Sequence, residues 1–99
     1  MKIEQNILDA AATLAGHGQP EFYGYLMART LDDGKPWWRI TGHGTLYRAL
    51  DRLIDAGYLE RRWETNDEMN GQERPRRRYY KLTTEGARRA APASPEGES

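Results

Sequence analysis

Cysteine is absent from this chain, and so are long apolar runs. Without cysteine the protein can form no disulfide, no thiolate metal site and no cysteine nucleophile. No apolar run is long enough to span a bilayer, and Lys2 and Glu4 place charge where a signal peptide would need its apolar core. We therefore expect a soluble, cytoplasmic protein of one small domain that is stabilised by packing.

The chain also lacks net charge, because 15 lysines and arginines balance 15 acidic side chains. A net charge of zero argues against nucleic-acid binding at first sight, since proteins that bind a polyanion usually carry an excess of positive charge. The charges are nevertheless unevenly distributed. Residues 39–81 hold ten basic against seven acidic side chains, whereas residues 1–38 hold three against five. A local basic surface is therefore expected despite the neutral total.

Recognisable arrangements of catalytic or metal-binding residues are missing as well. The chain has no serine, histidine and acid set, no phosphate-binding glycine loop and no pair of catalytic carboxylates. Its two histidines, His17 and His43, lack the further convergent ligands that a metal site needs. We predict a protein that is not an enzyme and that holds no metal and no cofactor.

The most informative segment that is present is a short amphipathic helix predicted over residues 44–56. Its apolar side chains recur with the spacing of one buried stripe, at Leu46, Leu50, Leu53 and Ile54. Gly57 is expected to end the helix. Thr45, Arg48 and Arg52 lie three and four residues apart, so they share the opposite side. Such a helix suits the DNA major groove.

An alternative for this helix is a solvated surface whose charges only confer solubility. In that case Arg48 would pair with Asp51 or Asp55, and Arg52 with Asp55. Tyr47 is ambiguous, because its ring could pack under a neighbouring loop while its hydroxyl reaches a phosphate. The helix alone does not decide between these roles, so its context matters.

Helices are also predicted on the N-terminal side of this segment, over residues 4–15 and 21–31. The expected packing residues of the second are Phe22, Tyr25, Leu26, Ala28 and Leu31. The aromatic and β-branched run at residues 37–41 predicts a short strand leading to the central helix, with Thr41 or Gly42 as the cap.

After the central helix, the sequence predicts a β-hairpin with strands over residues 58–64 and 78–83. A polar loop over residues 65–77 joins them. A last helix of about two turns should begin at Thr83 or Thr84 and end before Pro92. The order of the elements is that of a winged helix-turn-helix.

The predicted fold class is therefore α+β, mostly α, with three helices, a short strand, a β-hairpin wing and a short C-terminal helix. This domain occupies residues 1–91, and residues 92–99, rich in Pro, Ser, Gly and Glu, form a disordered tail. Tryptophans 37, 38 and 63 could line a ligand pocket, but we expect them to cover a thin core between the hairpin and the helices.

Arginines are concentrated at the end of the hairpin loop, at Arg74, Arg76, Arg77 and Arg78. They could form an ordinary solubilising loop. Four arginines within five positions instead favour an electrostatic patch for phosphate. Arg78 could also lie on the strand and pair with Glu60 or Glu64.

Four segments together resemble the PadR family of bacterial transcriptional regulators: residues 23–26 (YGYL), 44–53 (GTLYRALDRL), 56–59 (AGYL) and 76–83 (RRRYYKLT). The resemblance covers roughly residues 4–86. It implies a winged-helix repressor that binds a palindromic DNA operator as a homodimer and that sometimes responds to a small-molecule effector.

By this resemblance, residues 44–47 match the opening of the recognition helix, with Leu46 in the core. Residues 76–78 match the wing that approaches phosphates or the minor groove. The complete set of predicted DNA-binding residues is His43, Gly44, Thr45, Tyr47, Arg48, Arg52, Arg74, Arg76, Arg77 and Arg78.

The chain departs from the family at its C-terminus, where only residues 84–91 could form the long helix that usually crosses to the partner subunit. We expect a homodimer through the N-terminal and short C-terminal helices, although a monomer or a complex with another protein would also fit. The rival function is a winged-helix protein-interaction module, such as a phage-type or plasmid-type accessory protein. Near-zero net charge and the short C-terminus favour this rival slightly.

Overall fold

The computed structural model describes residues 2–36 and 39–91. The elements are α1 (Lys2–Gly16), β1 (Glu21–Tyr23), α2 (Gly24–Asp32), α3 (His43–Asp55), β2 (Leu59–Trp63), α4 (Asn66–Met69), β3 (Arg78–Leu82) and α5 (Thr84–Arg89). Helices α1, α2 and α3 pack together, and an antiparallel sheet covers them on one side. The predicted winged-helix arrangement is confirmed.

Helix α3 matches the predicted central helix to within one residue at each end, with Gly42 as its N-cap. Its predicted stripe is buried at Leu46, Leu50 and Leu53, together with the small side chain of Ala49, while Ile54 is partly buried. The stripe packs against α1 and α2, because their own apolar faces supply Ile7, Leu8, Ala11 and Met27 to the same core. The core thus fixes how α3 is rotated, and with it which side chains face solvent.

The sheet has the order β1-β3-β2, with β3 in the centre. Strand β3 pairs with β2 as the predicted hairpin, from Leu59 opposite Leu82 to Trp63 opposite Arg78. On its other edge it pairs with β1, which places Phe22 opposite Tyr80. Their rings stack with centroids 5.6 Å apart, and both side chains are almost completely buried.

Strand β1 corrects the prediction that residues 21–31 form one helix. Its three residues are extended, and α2 begins only at Gly24. The helical spacing of Phe22 and Leu26 suggested a helix, but pairing with β3 satisfies backbone groups of β1 and buries Phe22 against Tyr80. The prediction that Tyr25 packs in the core is also wrong, because its side chain is 57% exposed.

The predicted strand over residues 37–41 is not formed in its described part, since the backbone N–H of Arg39 closes a turn by donating to the carbonyl of Pro36 at 2.9 Å, and residues 40 and 41 are irregular. Thr41 is held instead by Asp32, whose carboxylate accepts its backbone N–H at 3.1 Å and its hydroxyl at 3.0 Å. The third strand of the sheet is therefore β1. Trp37 and Trp38, and the predicted tail over residues 92–99, lie outside the described residues.

The wing, residues 65–78, contains the short helix α4, which was not predicted. Thr65 and Glu68 form a reciprocal capping box at its start, and Asn70 ends it in the left-handed conformation with φ 49°. Met69 is buried. The helix gives the first half of the wing a defined shape.

Helix α5 begins after the predicted cap, Thr83, and folds back on α1 of the same chain. Gln5 donates to the carbonyl of Arg89 at 2.8 Å, and the backbone N–H of Ala91 donates to Asp9 at 2.7 Å. Within residues 2–36 and 39–91, no helix is long and apolar enough to cross a membrane.

The close approach of α5 to the chain before β2 depends on Gly86. A Cβ built there would lie 1.9 Å from the carbonyl oxygen of Tyr58, a backbone atom that cannot move aside alone. Gly86→Ala should therefore lower the free energy of unfolding by about 1 to 3 kcal/mol, although alanine favours helix elsewhere. Urea unfolding measures the change.

Gly16→Ala is the matched control, because nothing lies within 4 Å of the Cβ position at Gly16. This variant should be as stable as the parent protein or slightly more so. If the two alanine variants were equally stable, the close contact of Gly86 with the carbonyl of Tyr58 would not exclude a side chain at this position.

Candidate nucleic-acid interface

The start of α2 and the helix α3 meet at a contact between Gly24 and Tyr47. A Cβ on Gly24 would lie 2.1 Å from the Tyr47 hydroxyl, so the phenol occupies the space that a side chain would need. Tyr47 also stacks with His43 one turn earlier, at 6.3 Å between ring centroids. Tyr47 is thereby held against the start of α2, and the contact of its hydroxyl with a phosphate stays a prediction.

The outer side of α3 presents Thr45 and Arg48 to solvent. The expected alternative, an ion pair of Arg48 with Asp51 or Asp55, is not formed. In the part of the chain that the structure describes, the Arg48 side chain makes no ion pair, and its guanidinium lies 3.3 Å from the Cβ position of Gly44. Gly44 thus leaves room for Arg48 to lie along the helix. A free guanidinium here can donate two hydrogen bonds to a base edge.

Arg52 is engaged within the protein. Its guanidinium forms an ion pair with Glu4 of α1, not with Asp55 as the solvated alternative proposed. The hydrogen bond from Arg52 lowers the pKa of Glu4. Arg52 therefore joins α1 to α3, although its side chain remains 42% exposed.

Arg78 lies on β3 and points towards α3. Its Nε donates to the hydroxyl of Tyr80 at 2.9 Å, and an Nη lies 3.4 Å from Asp51. The alternative partners Glu60 and Glu64 are not used. Burial, opposed by the Arg78 hydrogen bond, raises the pKa of the Tyr80 hydroxyl. Arg78 thus connects the hairpin to the side of α3 that faces it.

The second half of the wing is organised by one buried carboxylate, Glu64. Both its oxygens accept from Arg74, at 2.8 and 2.9 Å, and one also accepts the backbone N–H of Arg77 at 3.0 Å. Hydrogen bonds from Arg74 and then from the Arg77 backbone lower the pKa of Glu64 to about 2, against the effect of burial. Arg74 is therefore neutralised inside the wing.

Backbone groups of Glu64 complete the arrangement. Its N–H donates to the carbonyl of Arg77 at 2.9 Å, and its carbonyl accepts from Arg76 at 3.0 Å. Arg76 also donates to Asn66 at the start of α4. The Arg77 guanidinium lies 4.4 Å over the ring of Tyr23 and makes no hydrogen bond within residues 2–36 and 39–91. Of the four wing arginines, Arg77 is the one whose donors remain unused.

A second cluster attaches α4 to the sheet. Arg62 donates to Glu21 at 2.7 and 2.8 Å and to Glu68 at 2.9 Å, and its guanidinium lies 4.9 Å over the ring of Tyr79. Hydrogen bonds from Arg62 and then from the Thr65 backbone lower the pKa of Glu68 to about 2. The first half of the wing is therefore tied to β1 and β2.

Sequence analysis alone missed two of the residues that position this surface. The sequence gives a weak indication of Glu64, because this residue ends a predicted strand just before an arginine-rich loop. It is expected there only as an alternative partner for Arg78. Gly24 lies within the YGYL segment, but the need for a glycine there depends on a long-range contact with Tyr47 that spacing cannot show. Among the described residues, no three His, Asp or Glu side chains are grouped so that they could hold a metal ion.

Comparison with protein-family models matches residues 14–92 to the transcriptional regulator PadR-like family. A comparison with curated proteins finds no match. A solved structure of a transcriptional regulator from Clostridium thermocellum has a TM-score of 0.57 and 23% sequence identity, over 84% of this chain and 75% of that chain. At this level of identity the similarity supports the fold alone.

Replacement of Glu64 with Gln should destabilise the protein at neutral pH, because the amide NH₂ would face a donor of Arg74. The folded-state pKa is about 2 against an ordinary value of 4.5. The contribution of the carboxylate to the free energy of unfolding is therefore complete at a pH above the ordinary pKa of 4.5, and it is lost as the pH falls through about 2. Urea unfolding of wild type and of Glu64→Gln across this pH range should show that the difference between their free energies of unfolding becomes smaller as the pH falls.

Glu73→Gln provides the control, since Glu73 is an exposed acid in the same loop. It should leave the urea midpoint unchanged at every pH. A difference between wild type and Glu64→Gln that is the same at low and neutral pH would contradict the assigned role of the carboxylate.

Proposed function

This chain belongs to the PadR-like family of transcriptional regulators, and from that premise we propose that it represses transcription in the cytoplasm by binding double-stranded DNA at a specific sequence. The observation on which the proposal chiefly depends is that neither Arg48 nor Arg77 makes an ion pair within residues 2–36 and 39–91. One lies on the outer side of α3 and the other in the wing.

Residues 44–56 enter the major groove in this proposal. Arg48 contacts a base edge, because its planar fork can donate two hydrogen bonds to guanine and nothing in the described chain occupies it. Thr45, exposed on the same side, and His43 and Tyr47 at the start of the helix contact bases or the nearest phosphates. Gly44 allows the backbone to approach closely.

The wing, residues 65–78, lies along the DNA backbone. Arg77 supplies the phosphate contact, and Arg76 assists from its position over the carbonyl of Glu64. Arg52, Arg74 and Arg78 act mainly by holding the surface together, because each is bound to a carboxylate of the same chain. Their exposed edges add positive potential near the DNA.

The operator is a two-fold sequence bound by a homodimer, with α1 and α5 forming the interface. Two copies of α3 would then lie about 34 to 36 Å apart, one helical turn of DNA. The docking of α5 on α1 in the same chain supports this assignment, because it brings the two helices together as one exposed unit. Light scattering with and without DNA measures the stoichiometry.

Arg48→Ala should reduce binding to the DNA upstream of the protein's own gene by about 1 to 3 kcal/mol and relax the preference at one base position. Gel-shift titrations against the natural site and single-base variants measure both effects.

Arg77→Gln should instead weaken binding to all sequences alike. It should also lower the slope of the logarithm of the binding constant against the logarithm of salt concentration by about 1.

Lys81→Ala is the control, because Lys81 is exposed on β3 and belongs neither to the proposed DNA-binding residues nor to the proposed dimer interface. It should change neither affinity nor specificity. The proposal is wrong if the folded protein fails to bind upstream DNA at low salt. Binding that ignores Arg48 and Arg77, together with stoichiometric capture of a protein partner, would favour the protein-interaction module.

A further inference from the structure

Arg77, the wing arginine whose donors remain unused, is held at both of its ends. Its backbone is fixed by Glu64, whose carboxylate accepts the Arg77 N–H at 3.0 Å and whose own N–H donates to the Arg77 carbonyl at 2.9 Å. Its guanidinium lies 4.4 Å over the ring of Tyr23 at the end of β1. Such a contact attracts a cation to the face of an aromatic ring. A long and flexible side chain is therefore restrained at its charged end as well as at its backbone.

The ring of Tyr23 is itself fixed by the sheet. Pairing of β1 with β3 places Tyr23 opposite Tyr79, and the two rings meet edge to face with centroids 5.8 Å apart. Tyr79 also carries Arg62, whose guanidinium lies 4.9 Å over the ring and is bound to two acidic side chains. Arg77 therefore rests on a ring whose position is set by strand pairing and not by the loop that carries Arg77.

The contact uses the face of the Tyr23 ring and not its hydroxyl. In the part of the chain that the structure describes, this hydroxyl makes no hydrogen bond. Trp63, which ends β2 just before the wing, does not share the role, because no described arginine stacks on its ring. Its side chain is 62% exposed, so the prediction that Trp63 covers the core is wrong. Of the described residues, Tyr23 alone has its ring under the Arg77 guanidinium.

Tyr23 lies at a junction that touches both of the elements proposed to bind DNA. It is the N-cap residue of α2, and Gly24, which follows it, leaves its Cβ position to the hydroxyl of Tyr47 in α3. The wing contacts one residue of this junction, and α3 contacts the next. The position of Arg77 relative to α3 is therefore fixed through two adjacent residues.

We propose that Tyr23 is a positioning residue for DNA binding, whose ring holds the Arg77 guanidinium in place for a phosphate. The contact engages the charge of Arg77 but none of its N–H groups, so these stay free to donate to phosphate oxygens. Association is weakened when a flexible side chain has to be ordered on binding, and a side chain that is already held avoids most of this loss. This inference rests on the proposed function, in which Arg77 contacts the DNA backbone. Tyr23 acts through Arg77 and need not touch DNA itself.

Binding of labelled upstream DNA, measured by fluorescence anisotropy at several salt concentrations, tests this role. Tyr23→Leu keeps an apolar side chain but removes the aromatic face, so it should raise the dissociation constant about twofold to tenfold. The dependence on salt should stay as in wild type, because Arg77 is still present to displace a counterion. The conservative variant Tyr23→Phe keeps the ring and should recover wild-type affinity. Urea unfolding midpoints establish that each variant is folded.

A double-mutant cycle separates positioning from general damage to the fold. In the Arg77→Gln background, Tyr23→Leu should cause no further loss of affinity, because the ring has no guanidinium left to hold. In the Lys81→Ala background, which removes an exposed cation of β3, Tyr23→Leu should cause its full loss. If Tyr23→Leu weakened binding equally with and without Arg77, its role would be structural only and the inference would be wrong.

Nuclear magnetic resonance of the free, isotope-labelled protein tests the contact without DNA. The Nε–H signal of Arg77 is identified by its absence from Arg77→Gln, and the ring should shift it upfield in wild type and in Tyr23→Phe. Tyr23→Leu should return the signal to the usual position of exposed arginines. A signal that Tyr23→Leu leaves unchanged would overturn the inference and leave the proposed function intact.

The positioning role and the proposed function fail in different experiments. If wild type binds no upstream DNA at low salt, the proposed function is wrong, and a contact still visible in the spectrum would then be structural, which overturns the positioning role as well. If wild type binds DNA and the two substitutions are additive, only the positioning role of Tyr23 is lost.

Discussion

The arrangement of the candidate interface depends on the pairing of β3 with a strand on each of its edges. The register places Tyr23 opposite Tyr79 on one side and Trp63 opposite Arg78 on the other. The end of β1, the end of β2 and the last residues of the wing are therefore brought to the same end of the sheet. Buried stacking of Phe22 on Tyr80 holds the register of β1, since a shift of β1 by one residue would turn Phe22 away from the core.

Much of this architecture could be predicted from the sequence because it depends on local patterns. The stripe of Leu46, Leu50 and Leu53 indicates the helix α3, and the glycine after it indicates where that helix ends. The threonine before α5 indicates where α5 begins. The structure has both helices. Strand β1 could not be predicted in the same way. Phe22 fits a helical spacing, and only its long-range partner Tyr80 makes the extended conformation favourable.

The sequence shows which residue types form the candidate site, but it does not show which of their charged groups are already paired within the protein. Composition identifies an arginine-rich loop, yet it does not show that Arg74 is neutralised by a buried carboxylate while Arg77 keeps its donors unused. The same applies to Arg48 and Arg52, which lie one turn apart but differ because Glu4 of α1 reaches only the second. Zero net charge is thus compatible with a local basic surface, because residues 39–81 hold ten basic against seven acidic side chains.

Two side chains on the outer side of α3, Thr45 and Arg48, are exposed and make no hydrogen bond within the described part of the chain. The leucine stripe that holds α3 in place lies on the opposite side of the helix. In the proposed function, base preference and folding are therefore assigned to different positions of one helix. Duplicated copies of such a gene can diverge in the operators they recognise while the scaffold remains under unchanged selection.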